Sequence, residues 1–345
     1  MNDERFTTMM RSAFARFTFP GMIVGAALAS GCSPSEAPPA VSPASAGPGA
    51  TAAVAPPSHP HPSVDPGLVA ATTGGKPEVI ENVVKVSFPR DVPVEIDRWT
   101  SVPPFMGLTS WAGFAPGEKP GVDAMVMGDL VVFEDEVSPV LSAALNNGLE
   151  VTALHNHFAF EKPRVLFMHI GGEGTVEKLG KGVRAALDAQ KAVRQKSPQP
   201  SELSGAPALP VPSHIDGAKL DAVFGLKGTA KDGMYKAVMG RTTRAACGCT
   251  VGKALGVNTW AAFAGSDDNA VVDGDFAVAE TELQPVLKAL RAGGINILAI
   301  HSHMTGESPR ILFLHYWGRA SSADLAKTIK RALDLTAWEG QAQTT

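Results

Sequence analysis

The chain is written twice. HNHFAFEKPRVLFMHIGG, starting at His155, returns as HSHMTGESPRILFLHYWG from His301, an offset of 146. The same offset relates Gly128-Asp129 to Gly274-Asp275, Glu134 to Glu280, Pro139 to Pro285 and Gly148 to Gly294. Upstream it drifts, as small insertions require: Trp111-Ala112-Gly113-Phe114 meets Trp260-Ala261-Ala262-Phe263 at 149. Units this long are domains and not solenoid turns, so whatever fold the first copy takes the second must take too. The copies span 66–197 and 213–338. Residues 198–212, inside the Pro/Ser-rich run SPQPSELSGAPALPVPS, read as a linker, and 339–345 as a tail.

Each copy reads the same way. VVKVSFPR, FMGLTSWAGF and AMVMGDLVVF alternate or run apolar between Pro, Gly and acidic turns, which predicts strands. VSPVLSAALNNG places Val137, Val140, Leu141, Ala144 and Leu145 on one face and ends at a glycine, a helix signature. VTALHNH and RVLFMHI are two further short strands, and TVEKLGKGVRAALDAQKAV is a second helix. The expectation is α+β: a tandem duplication of a β-β-β-α-β-β-α domain with mainly antiparallel sheets and helices gathered on one face.

With 345 residues and 44% hydrophobic content, both copies can bury a core. A formal net charge of -4 and the lack of a basic stripe exclude a nucleic-acid partner from the expectations. Arg11 and Arg16 precede the apolar run PGMIVGAALA, which is too short for a permanent span and predicts a signal peptide over 1–31. LASGC resembles the lipobox of bacterial lipoproteins, although Leu28 lies one place early. The resemblance implies lipidation at Cys32, membrane attachment through that anchor, and a periplasmic or cell-surface location. Residues 32–65, rich in Pro, Ala, Ser and Gly, read as a tether that cannot bury enough apolar surface to fold. The His59/His61 pair within it reads as linker. Cys247 and Cys249 read as structural or mutually oxidised thiols rather than a soft-metal pair, because no third thiol completes a thiolate site.

In a strand, residues two apart share a face, so His155 and His157 project together. If the hairpin pairs 155 with 167, His169 shares that face; a slip of one residue would turn it away. Glu161 in the turn could add an oxygen, and the second copy offers His301, His303, His315 and Glu307. Three imidazoles and a carboxylate suit zinc, manganese or iron. The spacing H-x-H-x3-E also resembles the first metal motif of cupins, as ligand geometry and not as fold. Packing histidines with satisfied hydrogen bonds are the alternative, although clustering neutral imidazoles without partners is costly. Arg164 and Arg310 suggest salt bridges to Glu161 or Asp129, and to Glu307 or Asp275, or else a hold on an anionic ligand. Glu134 and Glu280 suit helix N-termini, and Trp111 and Trp260 read as core residues.

The H-x-H…E-x-P-R…H block, present twice behind a lipobox-like start, resembles the LppY/LpqO family of bacterial lipoproteins. The resemblance implies export and the repeat, and adds no chemistry. The leading expectation is an exported lipoprotein with two His-rich domains that bind or sense a metal. A metal-dependent hydrolase or oxygenase and a metal-free envelope scaffold or ligand-binding protein stay open beside it.

Overall fold

The computed structural model describes residues 63–201 and 205–340. The signal segment, Cys32, the His59/His61 pair, most of the tether and the last five residues lie outside the described residues. The first copy runs α1 (Pro66–Thr73), β1 (Pro77–Ile80), β2 (Val83–Pro89), β3 (Glu95–Ile96), β4 (Thr109–Pro116) and β5 (Ala124–Phe133). It continues through α2 (Glu134–Asn146), β6 (Glu150–His155), β7 (Glu161–Lys162), β8 (Val165–Gly174) and α3 (Val176–Lys196). The second copy repeats it: α4 (Gly217–Phe224), β9 (Thr229–Lys231), β10 (Met234–Gly240), β11 (Thr243–Arg244), β12 (Thr250–Val251) and β13 (Asn258–Gly265). It ends with β14 (Ala270–Ala279), α5 (Glu280–Ala292), β15 (Asn296–His301), β16 (Ile311–Ala320) and α6 (Ser322–Leu333). The fold is α+β, and β2-β4-β5-α2-β6-β8-α3 is the expected order. An N-terminal helix and an edge strand precede it in each copy. The helices α1 and α4 are too short to show an apolar period, but each carries an Asp N-cap and a left-handed glycine C-cap.

The two copies share one antiparallel sheet instead of standing as separate bodies. Its strand order is β1-β2-β4-β5-β8-β6-β15-β16-β14-β13-β10-β9, which reads the same from either end once equivalent strands are matched. The join is a single antiparallel pair, Leu154 with Ile300, which are equivalent residues of the two copies. A self-equivalent pair marks a pseudo-twofold axis. Contacts across the seam follow it to within one residue: Ser138 Oγ donates to Asn296 Oδ1, while Gln284, the counterpart of Ser138, holds both the N–H and the carbonyl of Val151, next to the counterpart of Asn296.

The six α-helices of the described residues pack on one face, where residues of both copies form one continuous core. Strand parity sorts the rest. Leu130, Val132, Met168 and Ile170 face the helices, and Asp129, Phe167 and His169 face away. A bulge between Val151 and Ala153, matched between Ile297 and Ala299, lets Val151 and Leu154 both enter the core while His155 turns to the other face. The Gly-Asp doublets follow the same logic. A Cβ on Gly274 would collide with Tyr316, whose hydroxyl donates to the Trp260 carbonyl at 2.8 Å, so the core side of that position must be bare.

Candidate functional site

The free face of the sheet carries the histidines. His155 pairs with Phe167 and His301 with Phe313, the register that puts His169 and His315 on the same face as their partners. Ring centroids of His155 and His157 lie 5.1 Å apart, and those of His155 and His169 4.9 Å. In the second copy the separations are 5.0 Å for His301–His303 and 4.6 Å for His301–His315. Phe167 and Phe313 form the floor: His157 stacks on the first at 3.8 Å and His303 on the second at 3.4 Å. All three predicted imidazoles therefore come together in each copy.

The carboxylate that joins them is not the predicted one. Glu307 is buried and accepts the Ile311 N–H at 3.1 Å, capping its turn. Glu161 sits in β7, paired with Ile96 of β3, and lines a polar depression with Glu134, Arg164 and Ser201. Asp129 and Asp275 take the place instead, because each lies directly opposite the third histidine in the sheet. Asp275 Oδ2 is 3.8 Å from both His303 Nε2 and His315 Nε2, and Asp129 Oδ2 is 3.9 Å from His169 Nε2. His301 Nε2 and His303 Nε2 are 3.1 Å apart. In both copies the other carboxylate oxygen, Oδ1 of Asp129 and of Asp275, is buried without a hydrogen-bond partner, as is His301 Nδ1. The signal in the sequence is the repeated Gly-Asp on a predicted strand, which by itself suggests only a partner for arginine.

Electrostatics differ from an ordinary surface cluster. Burial, then the neighbouring imidazoles, holds His155, His301 and His303 below the usual histidine value. Burial, with Asp273 adding to it, pushes Asp275 up to about 7. The site is nonetheless open: the His315 side chain is 49% exposed beside an Asp275 that is 7% exposed. Neutral imidazoles next to a poorly solvated carboxyl can accept a cation or exchange protons. Among the described residues, however, no set of three His, Cys, Asp or Glu side chains stands ready-made as a metal cage.

Several other expectations change. Arg310 pairs with Glu280 at 3.3 Å and not with Glu307 or Asp275, and Arg164 has no ion pair among the described residues. Glu134 and Glu280 do begin helices, but the carboxylates that cap them are Glu136, which is buried, and Glu282, which is half-buried, two residues on. Trp111 and Trp260 are not core. They lie half-buried on the free face, each opposite the site aspartate, with Lys85 Nζ 4.6 Å and Lys236 Nζ 4.0 Å over their rings. In the second copy a cavity of about 320 Å³ joins Lys236, Asn258 and Trp260 to Asp275 and His303. A cavity of about 330 Å³ elsewhere, lined by Ser63, Val79 and Glu118, gathers no imidazole or thiol. Cys247 and Cys249 are exposed free thiols 2.6 Å apart at the tip of the β11–β12 hairpin. No helix of the described residues is long and apolar enough to cross a membrane.

No curated protein matches the chain. Among solved structures it is similar to a trimeric bacterial microcompartment shell protein, PduB, at 14% identity, covering 75% of this chain and 89% of that one. Its TM-score of 0.20 carries no argument about fold or function. The model of the family described as Domain of Unknown Function (DUF1259) matches twice, over residues 68–189 and 218–335. These matches reproduce the two copies and take in both histidine clusters, and together they span well over half of the chain. The chain belongs to the DUF1259 family, with one family domain in each half of its sheet.

Proposed function

We propose that each cluster of three histidines and one aspartate binds a divalent cation, zinc, manganese or iron, and that the protein is a metal-binding or metal-sensing module. The observation that carries this reading is duplicated: three imidazoles gather beside one oxygen of a buried aspartate whose other oxygen has no close hydrogen-bond partner, at the same place in both copies. Unsatisfied buried polar groups cost about 1–3 kcal/mol each, so a position where both copies leave one open invites a ligand. Donor spacings of 3.1 Å and 3.8 Å in the second copy stand near the roughly 3.3 Å edge of a tetrahedral site with 2.0–2.1 Å bonds. Imidazoles turn about two torsions, so closing the remaining gap needs only side-chain rotation. His155, His157, His169 and Asp129 would hold one ion, and His301, His303, His315 and Asp275 the other. Glu307, which caps its turn, and Glu161, which lines the depression with Glu134 and Arg164, stay outside the coordination sphere.

Metal content per chain tests the reading, with the protein prepared without chelator and offered zinc, manganese and iron. We expect two ions for the wild type and one for either His155→Ala/His157→Ala or His301→Ala/His303→Ala. A wild type that holds none above background overturns it. Metal-dependent catalysis is the second reading, favoured by the openness of the site and by a carboxyl held at about 7, where it can both take and give a proton. Export and lipid attachment at Cys32, in keeping with the LppY/LpqO resemblance, complete the proposal. Cys32→Ala should leave the protein unprocessed or free of membranes, and unchanged membrane partitioning with normal processing would reject the anchor.

A further inference from the structure

We propose that each His–Asp cluster is one end of a longer site whose other end is the Trp–Lys pair, and that this site takes a small organic carboxylate. The inference rests on the metal reading for one end only. Across β13, β14 and β16, Trp260, Asp275 and His315 lie in a row of directly opposed residues, and Lys236 on the next strand covers the indole. Trp111, Asp129 and His169 form the same row in the first copy, with Lys85 over the ring. Four chemically distinct residues thus recur in one geometry, although they come from segments whose repeat offsets differ. Core packing does not explain this, since the row lies on the face away from the helices.

The order of chemistry along the row selects the ligand. At one end an ammonium group offers donors only, and neither Lys85 nor Lys236 has a carboxylate partner among the described residues. In the middle the indole, only half-buried although the lysine lies over its face, leaves apolar surface beside the ammonium group that favours a carbon skeleton over a bare inorganic anion. At the far end the imidazoles and carboxylate would present a cation, whose charge draws a second oxygen of the same ligand. The connecting cavity of about 320 Å³ falls at the lower end of the roughly 300–1,000 Å³ usual for small-molecule sites, which limits the ligand to a compact one. A ligand with an anionic oxygen for the lysine, carbon beside the indole and oxygens for the cation is a carboxylate or hydroxycarboxylate. Because the rows are related by the pseudo-twofold axis, the two copies take one ligand each.

Calorimetric titration of the full-length protein, zinc-loaded and zinc-free, with gluconate and benzoate as probes and inorganic phosphate as the control anion, tests this. At least one carboxylate should bind with two sites per chain and more tightly than phosphate. In the double variant Lys85→Met/Lys236→Met that affinity should drop at least tenfold. Methionine keeps an unbranched stem over each indole, so the melting temperature and a separate zinc titration should match the wild type. Binding of neither carboxylate, phosphate binding equal to it, or an unaltered affinity in the double variant would each overturn the proposal. If zinc fails to bind while a carboxylate still binds in a lysine-dependent way, the metal reading falls and the Trp–Lys subsite stands.

Discussion

Asp275 faces two imidazoles at 3.8 Å, leaves one oxygen without a hydrogen bond, and is pushed by burial up to about 7. Unfolded, the carboxyl ionises at about pH 4; folded, it keeps its proton to about 7. The folded state therefore holds the extra proton across that window, and this contribution to stability is lost as pH rises from about 4 to 7. His301 and His303 act in the opposite sense. Their folded values are depressed, so the unfolded chain takes up protons first and stability falls as pH drops below about 6.5. Asp275→Asn should accordingly stabilise the metal-free protein at pH 8 by about 0.5–2 kcal/mol while weakening metal binding in the second copy, as follows where a site is kept at a cost to stability. Urea denaturation at pH 5 and pH 8 checks it, and a variant destabilised at both would show that the carboxylate is a structural partner of the imidazoles.

Among elements, the two middle helices begin on a carboxylate paired with a buried arginine. Glu136 accepts the Phe133 N–H at 2.9 Å and both hydrogen bonds of Arg90, at 2.7 and 2.9 Å, and is fully buried, with Arg90 nearly so. Its counterpart Glu282 accepts the Ala279 N–H at 2.8 Å and pairs with Arg241, but is more exposed. Each carboxylate joins the end of a strand, the start of a helix and the loop after β2 or β10, and so fixes how the helix leaves the sheet. Removing one partner of a buried pair strands the other charge. Glu136→Ala should cost about 3–5 kcal/mol, with Glu282→Ala costing less because the Glu282 carboxylate is itself partly exposed and its ion pair is less completely desolvated. Equal losses in denaturant titrations would mean that burial does not set the difference.

For the whole molecule, the join at Leu154 and Ile300 makes the two copies halves of one sheet. An interface of equivalent residues is self-complementary, as in a twofold dimer. Cutting the chain at the linker would expose the β6 edge and the seam face of α2. The first copy alone, residues 63–201, should therefore associate into a dimer through β6, with Leu154 meeting its own copy. Light scattering after size-exclusion chromatography reads this directly, and a stable soluble monomer would show that the seam is not needed to cover the edge. Leu154→Lys in the full chain should loosen the seam and lower the melting temperature, since a buried leucine in the common core is replaced by a charge.

The sequence alone determined what depends on local periodicity and on self-similarity. The offset of 146, the strands at β5, β6 and β8, the helices α2 and α3, and the shared face of His155 and His157 all follow from self-matching and from spacings of two and 3.6 residues, whereas the place of His169 beside them waited on the hairpin register. What it left open is set by neighbours far along the chain. The parity of Val151 against His155 depends on a bulge that the apolar pattern does not record. The choice of Asp275 over Glu307 depends on which strand lies beside β16, and Asp275 is 40 residues from His315 in sequence but directly opposite it in the sheet. Trp260 reads as core because it is large and apolar, and only the register of β13 puts it on the face opposite the helices of the described residues. Two separate domains is the natural reading of a repeat with a Pro-rich linker. Whether copies stay apart or merge is decided by the edges they expose, and here two β6-type edges found each other, because pairing unsatisfied backbone groups across a twofold axis satisfies both copies at once.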